Sequence, residues 1–262
     1  MNETATIPLL EARGISKYFG AIRALDRVAF HLDRGEVLGV VGDNGAGKST
    51  LMKILSGLFH PSEGEIVFQG TPVHFASPRD AHRVGIEMVY QDLALAGNMS
   101  IFENIYLGRE PGRRILGLNF VDQARSREMA AAHLDRLHIE VKSVDQNVED
   151  LSGGQRQAVA IARATAFDAR VVIMDEPTAA LAIKEVGKVL DLIKSLKEHG
   201  VSVILISHRL DDVFYVCDRV MALFRGANFA EAKLGDTSRN EVIGWIMGAR
   251  GHSTALAHDR VQ

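Results

Sequence analysis

The stretch Val37-Leu38-Gly39-Val40-Val41-Gly42-Asp43-Asn44-Gly45-Ala46-Gly47-Lys48-Ser49-Thr50 decides the fold. Its first five residues are apolar on both faces, the pattern of a parallel strand buried between helices. The next eight read G-x-x-x-x-G-K-S, and Leu51–Leu58 continues as an apolar helix. Strand, glycine turn and helix in that order make a phosphate-binding loop. Glycines let successive N–H groups curl around phosphate oxygens without interference from a Cβ. The helix that follows turns its positive end toward the same anion. Lys48 supplies a cation to the outer phosphates, and Ser49 an oxygen for Mg2+. Nucleotide binding follows, but kinases, GTPases, motors and transport ATPases all share this loop.

Outward from the loop, further apolar runs read as strands: Arg27–Leu32, Glu65–Phe68, Glu87–Tyr90, Val171–Met174, Val203–Ile206 and Val220–Phe224. Helices lie between them. Ser77-Pro78 is an N-cap followed by proline, Ser100 and Glu103 form a capping box opening Phe102–Leu107, and Asp122 caps a helix to about His138. Lys184–Glu198 carries Val186, Val189, Leu190, Ile193 and Leu196 on one face and stops before Gly200. Between Leu93 and Ala166 strand signals nearly vanish, which predicts a helical lobe inserted into a doubly wound α/β core.

Composition bounds the class. The chain has 262 residues, 47% hydrophobic and 24% charged, with a net charge of −3. These are globular values, and the charge gives no electrostatic case for nucleic acid. The single cysteine, Cys217, excludes an internal disulfide and reads as a buried apolar thiol. The N-terminal MNETATIPLL lacks the pattern of a signal peptide, and no run approaches the roughly 18 apolar residues of a membrane span. A protein of a reducing intracellular compartment is expected.

Two more motifs carry chemistry. Val171–Met174 runs into Asp175-Glu176; side chains alternate along a strand, so the two carboxylates are expected to point different ways. Asp175 then suits the metal and Glu176 suits general-base work on water. Leu151-Ser152-Gly153-Gly154-Gln155 places a hydroxyl and a glycine turn at the start of the helix Gln155–Ala166, a second phosphate reader without a lysine. Two unlike phosphate readers in one chain suggest a site shared between two chains.

With these residues in place, the sequence resembles the ATP-binding cassette (ABC) ATPases over about residues 9 to 248. The resemblance implies a P-loop NTPase (RecA-like) core of about residues 1–92 and 167–225 with an antiparallel β portion near the N-terminus. It implies a helical lobe at about 93–166, a C-terminal segment at 226–248 in which Ser238 and Glu241 offer a capping box, and a flexible tail at 249–262. Residues 42–50 then bind ATP, and Phe19, with Tyr18 beside it, matches the aromatic that stacks on adenine. Gln91 matches the glutamine that touches Mg2+ and couples to the membrane partner, so the implied metal set is Ser49, Gln91 and Asp175. His208, in Ile206-Ser207-His208-Arg209, matches the switch histidine at the γ-phosphate, giving Glu176, His208 and Gln91 as catalytic residues. Ser152, Gly153, Gly154 and Gln155 would cap the ATP of a partner chain in a head-to-tail homodimer.

Residues 42–57, Phe102–Glu110 and Ser207–Phe214 resemble the ATPases of bacterial monosaccharide importers of the ribose, galactose, xylose and fructose type, in single-cassette form. This implies a membrane permease contacting about Gln91–Glu110, an extracytoplasmic sugar-binding protein, and a peripheral location on the cytoplasmic face of the inner membrane. The sugar is not written in this chain. One departure stands out: Ala182 occupies a position where the family has aspartate, which implies slower or less coupled hydrolysis with ATP binding retained. A soluble non-transport ABC ATPase, or a nucleotide-gated switch that hydrolyses slowly or not at all, remains the alternative.

Overall fold

The structure, a computed structural model, describes residues 7–115 and 118–249. The expected tail lies almost wholly outside the described residues. Among the described residues, twelve strands and eight α-helices follow one another. They comprise β1 (Leu10–Phe19), β2 (Ile22–Leu32), β3 (Val37–Val41), α1 (Lys48–Leu55), β4 (Glu63–Phe68), β5 (Thr71–Val73), α2 (Pro78–Val84), β6 (Ile86–Val89) and α3 (Ile101–Tyr106). Then come β7 (Gly112–Ile115), β8 (Leu118–Val121), α4 (Gln123–Arg136), α5 (Gly153–Thr165), β9 (Val171–Asp175), α6 (Ile183–Glu198) and β10 (Ser202–Ile206). The chain closes with α7 (Leu210–Val216), β11 (Arg219–Phe224), β12 (Ala227–Lys233) and α8 (Arg239–Ile246).

A six-stranded sheet of order β12-β11-β3-β10-β9-β6 forms the centre, parallel except for β12. Its interior strands β11, β3, β10 and β9 are mainly apolar because both faces are covered, whereas the edge strand β12 carries Asn228, Glu231 and Lys233. Val172, Met174, Val203 and Leu205 pack into one core with α3, α5 and α6. The alternate residues Val171, Ile173, Ile204 and Ile206 pack into a second core with α1 and the antiparallel sheet β2-β1-β4-β5. The two-residue period of a strand thus assigns successive side chains to opposite layers. A third, smaller core joins β11 to α7 and α8 around Trp245.

Helix starts follow side-chain chemistry. Capping boxes open α2 (Ser77 with Asp80), α3 (Ser100 with Glu103), α5 (Ser152 with Gln155) and α8 (Ser238 with Glu241). Asp122 caps α4 through the Arg125 N–H, and Gly200 follows α6 at φ 80°. Burial pushes the Cys217 thiol well above its ordinary range.

Three expectations are corrected. The segment between Leu93 and Ala166 is not purely helical: β7 and β8 pair as an antiparallel hairpin, Gly112 opposite Val121. The central sheet does not stop at Phe224, since β12 adds an antiparallel edge. Strand alternation does not set the relation of Asp175 to Glu176, because β9 ends at Asp175 and Glu176 has a left-handed backbone, φ 51°.

Candidate active site

Parallel pairing aligns the strand ends. Ile206 of β10 lies opposite Asp175 of β9, and Val89 of β6 lies opposite Met174. The loops after β3, β6, β9 and β10 therefore leave one edge of the sheet, the edge at which open α/β sheets bind ligands. These loops carry Gly42–Thr50, Gln91, Glu176 and His208.

The phosphate loop folds back between β3 and α1. Gly42 has φ 152°, and a Cβ there would lie 2.4 Å from the Leu223 carbonyl oxygen. Gly47 has φ 101°, and its Cβ would meet Leu25 Cδ2 at 2.6 Å and the Ala24 oxygen at 2.9 Å. Only glycine fits these two positions. Asp43, Asn44 and Gly45 are exposed at the crest, Ala46 is buried beneath it, and Asn44 N–H donates to Asp43 Oδ1 at 2.7 Å. The first intrahelical bond of α1 is Leu51 N–H to the Gly47 carbonyl, 2.9 Å. The N–H groups of Lys48, Ser49 and Thr50 precede that bond and point off the helix end.

Lys48 is half-buried, and its ammonium donates to the carbonyls of Gly42 (2.7 Å) and Asp43 (3.1 Å). Burial lowers its pKa, opposed by the charges of Glu176, Asp175 and Asp43. Asp175 responds in the opposite sense: burial first, then the charge of Glu176, raises its carboxyl above the ordinary range. Lys48 thus feels three acids, Glu176, Asp175 and Asp43, and offsets only part of their charge.

Glu176 is joined to His208. Its backbone N–H donates to the Ile206 carbonyl (3.0 Å), and its Oε2 lies 2.6 Å from His208 Nδ1. Glu176 Oε1 also accepts from the His208 N–H at 3.1 Å. The acid is shielded, with 14% side-chain exposure, whereas the imidazole is 66% exposed. Two buried side chains, invisible as a motif in the sequence, tie these loops together behind the pair: the Thr178 hydroxyl donates to Asp212 Oδ2.

Gln91 is exposed two residues beyond β6. Leu93 and Ala94, just after it, both have left-handed backbones (φ 58° and 47°), an arrangement that costs about 1 kcal/mol or more per non-glycine residue. The Ala94 carbonyl is held by the Arg163 guanidinium of α5 at 2.7 Å. Phe19, 42% exposed at the end of β1, meets Phe59 edge-to-face with centroids 5.5 Å apart, and the Lys17 ammonium lies 5.3 Å from its ring.

Ser152 caps α5: its Oγ accepts from the Gln155 N–H (3.3 Å) and its N–H donates to Gln155 Oε1 (3.1 Å). Among the described residues, no hydrogen bond or ion pair joins Ser152–Gln155 to the phosphate loop, Asp175, Glu176 or His208. The structure brings Lys48, Asp175, Glu176 and His208 together and leaves the second phosphate reader apart. Nor do the described residues contain a cluster of three or more His, Cys, Asp or Glu able to hold a metal by themselves.

Sheet, loop and carboxylates together define a P-loop nucleotide-binding protein. A sequence profile described as ABC transporter matches residues 25–179, and the chain belongs to that family. It is 46% identical to a xylose/arabinose import ATP-binding protein of Sulfolobus acidocaldarius, over 89% of this chain and 92% of that one. It is also 46% identical to a fructose import ATP-binding protein of Rhizobium meliloti, over 93% and 95%. A ribose import ATP-binding protein of Streptomyces coelicolor is 42% identical over 94% of this chain but only 48% of its own length. Among solved structures, an ATP-binding cassette of an ABC transporter in its ADP conformation superposes with a TM-score of 0.78 at 28% identity, covering 92% and 96% of the two chains. A dimeric, post-hydrolysis cassette bound to ADP and Pi gives 0.72 at 28% identity over 86% and 98%. Among the described residues no helix is long and apolar enough to cross a membrane.

Proposed function

We propose that this chain is the ATP-hydrolysing subunit of a monosaccharide importer. The observation that carries the reading is the meeting of Lys48, Asp175, Glu176 and His208 at one sheet edge, in a chain whose full-length relatives are sugar-import ATP-binding proteins. In this reading residues 1–248 act as one ATPase domain at the cytoplasmic face of the inner membrane. The lobe at 93–166 and the loop around Gln91 face a separate permease, which receives sugar from an extracytoplasmic binding protein.

The roles follow from chemistry. Phe19 offers adenine an exposed aromatic face. The N–H groups of residues 42–50 receive the phosphates, and Lys48 exchanges its two carbonyl acceptors for phosphate oxygens. Glu176 accepts the proton of the attacking water, and His208 hydrogen-bonds both that carboxylate and the γ-phosphate. Ser49, Gln91 and Asp175 are hard oxygen donors beside a surplus of negative charge, a set that fits Mg2+ held mainly by phosphate and water. Bound there, Mg2+ would neutralise charge on the phosphates. Ser152–Gln155, standing apart from the loop of their own chain, would close on the ATP of a second copy.

Steady-state ATP hydrolysis across protein concentration tests this reading. A rate rising faster than linearly, and abolished by Glu176→Gln, is expected; a linear rate insensitive to that change overturns it. A second reading, a nucleotide-gated switch with little turnover, is favoured by Ala182 alone. That residue begins α6 without a capping side chain.

A further inference from the structure

The exposed ring of Phe19 is braced by a loop distant in sequence. Helix α1 ends at Leu55, and Gly57, at φ 74°, turns the backbone out of it. The N–H groups of Leu58 and Phe59 both return to the Lys53 carbonyl, at 2.8 and 2.9 Å. The loop is then stapled to the end of β1. The Lys17 ammonium donates to the His60 carbonyl (2.7 Å), the Tyr18 N–H to Ser62 Oγ (3.2 Å), and the Ser62 N–H to the Ser16 carbonyl (2.8 Å). These bonds fix where Phe59 stands relative to Phe19.

Phe59 is half-buried and meets Phe19 edge-to-face, with centroids 5.5 Å apart and planes at 71°. The Lys17 ammonium joins the pair, 5.3 Å from the Phe19 centroid and 5.9 Å from that of Phe59. The Lys53 ammonium lies 5.5 Å from the Phe59 ring. An aromatic pair of this kind has a preferred angle, so Phe59 holds a ring that is otherwise 42% exposed at a strand end. Without that contact an exposed ring turns among its rotamers, and stacking on it costs the entropy of freezing them. Helix α1 adds a second link. Its N-terminus carries Lys48 and Ser49 and its C-terminus leads into Phe59, with eight residues, about 12 Å of helix, between the two ends.

We propose that Phe59 is a positioning residue for nucleobase binding: with Lys17 it holds the Phe19 ring in the orientation that stacks on adenine, and α1 ties that orientation to the phosphate loop. This rests on the reading of Phe19 as the adenine platform. Phe59 acts through Phe19 rather than on the nucleotide itself. Its loss leaves the phosphate cradle intact and frees the platform, so affinity that depends on the base falls while affinity for phosphate does not.

The test is calorimetric titration of the full chain with two ligands in the presence of Mg2+: ADP, which is not hydrolysed, and inorganic pyrophosphate, which has no base. Phe59→Ala is expected to weaken ADP binding about two- to tenfold, the scale of one edge-to-face aromatic contact, and to leave pyrophosphate binding unchanged. Phe59→Tyr keeps a ring edge and should bind ADP as the parent does, whereas Phe59→Leu keeps the bulk without the ring and should not. Phe19→Ala should weaken ADP binding at least as much, and adding Phe59→Ala to it should cost little more. Equal weakening of ADP and pyrophosphate in the Phe59 variants, or losses that multiply in the double variant, overturns positioning through Phe19. Parent-like ADP binding by Phe59→Ala or Phe59→Leu, beside weakened binding by Phe19→Ala, overturns the role of Phe59 alone. ADP binding untouched by Phe19→Ala overturns the platform reading, and this proposal with it.

Discussion

His208 Nδ1 stands 2.6 Å from Glu176 Oε2, and the His208 N–H donates to the other oxygen of the same carboxylate. Strand pairing alone does not produce this. The Glu176 N–H continues the parallel ladder of β9 onto the Ile206 carbonyl of β10, and its left-handed backbone then turns the chain off the line of β9. The acid is therefore held at both ends, by backbone and by imidazole.

A carboxylate held this way acts with its histidine as a unit. Glu176→Gln is expected to lower kcat at least about a hundredfold, the lower bound for losing a general base, with ATP binding retained. His208→Ala should fall in the same range. The double variant should lose little more than either single one, because coupled groups are not additive. Turnover and nucleotide binding by equilibrium titration check this; losses that multiply would show two independent roles.

Asp175 gives a pH dependence with a definite sign. Burial and the charge of Glu176 raise its carboxyl above the unfolded value near 3.8, and Lys48 and Lys53 only partly offset this. Between the unfolded and folded values the native chain holds the extra proton, so stability falls as pH rises through that window. Asp175→Asn removes the penalty. Without nucleotide at neutral pH the variant should melt about 1–3 °C higher, and the difference should vanish below the unfolded value. The same variant should bind Mg2+ with ATP more weakly, which separates the metal role from stability.

Behind the reactive pair, the hydroxyl of Thr178 and the carboxylate of Asp212 share a hydrogen bond in which both residues are essentially without solvent. Asp212 also faces Arg209 Nε at 3.6 Å, one residue after His208. Thr178→Val keeps the shape and removes the donor, leaving a buried acceptor. It should cost about 1–3 kcal/mol in urea unfolding. Because the pair braces the loops of Glu176 and His208, kcat should fall more than KM changes.

The central strands and the phosphate loop were legible because a strand covered on both faces must be apolar throughout. Val37–Val41 and Val171–Met174 are, and nothing competes with that reading. Of the strands with a solvated face, β2 and β4 were legible in part as Arg27–Leu32 and Glu65–Phe68, and β1 and β12 were not. β1 interleaves Glu11, Arg13 and Lys17 with buried Ala12 and Ile15, and β12 carries Asn228, Glu231 and Lys233. The hairpin β7–β8 starts Gly-Arg-Arg, with no apolar run to announce it. The site residues were legible as motifs, but their mutual geometry was not. The pairing of Glu176 with His208 and the Thr178–Asp212 bond depend on elements far apart in the chain.

Ala182 combines a local and a functional consequence. As the N-cap of α6 it makes no side-chain hydrogen bond, although Glu185 N–H and Val186 N–H both donate to its carbonyl at 2.8 and 3.1 Å. Ala182→Asp supplies the missing acceptor, a change worth about 1 kcal/mol at a helix start. Thermal melting should therefore rise by roughly 2–4 °C. If the aspartate expected at this position also organises the attacking water, hydrolysis by the ATPase assembled with its permease should accelerate along with it. The two readouts separate the causes. A higher Tm with unchanged turnover assigns the position to capping alone. Faster turnover with a higher Tm means that alanine here slows the catalytic cycle as well as loosening the start of α6.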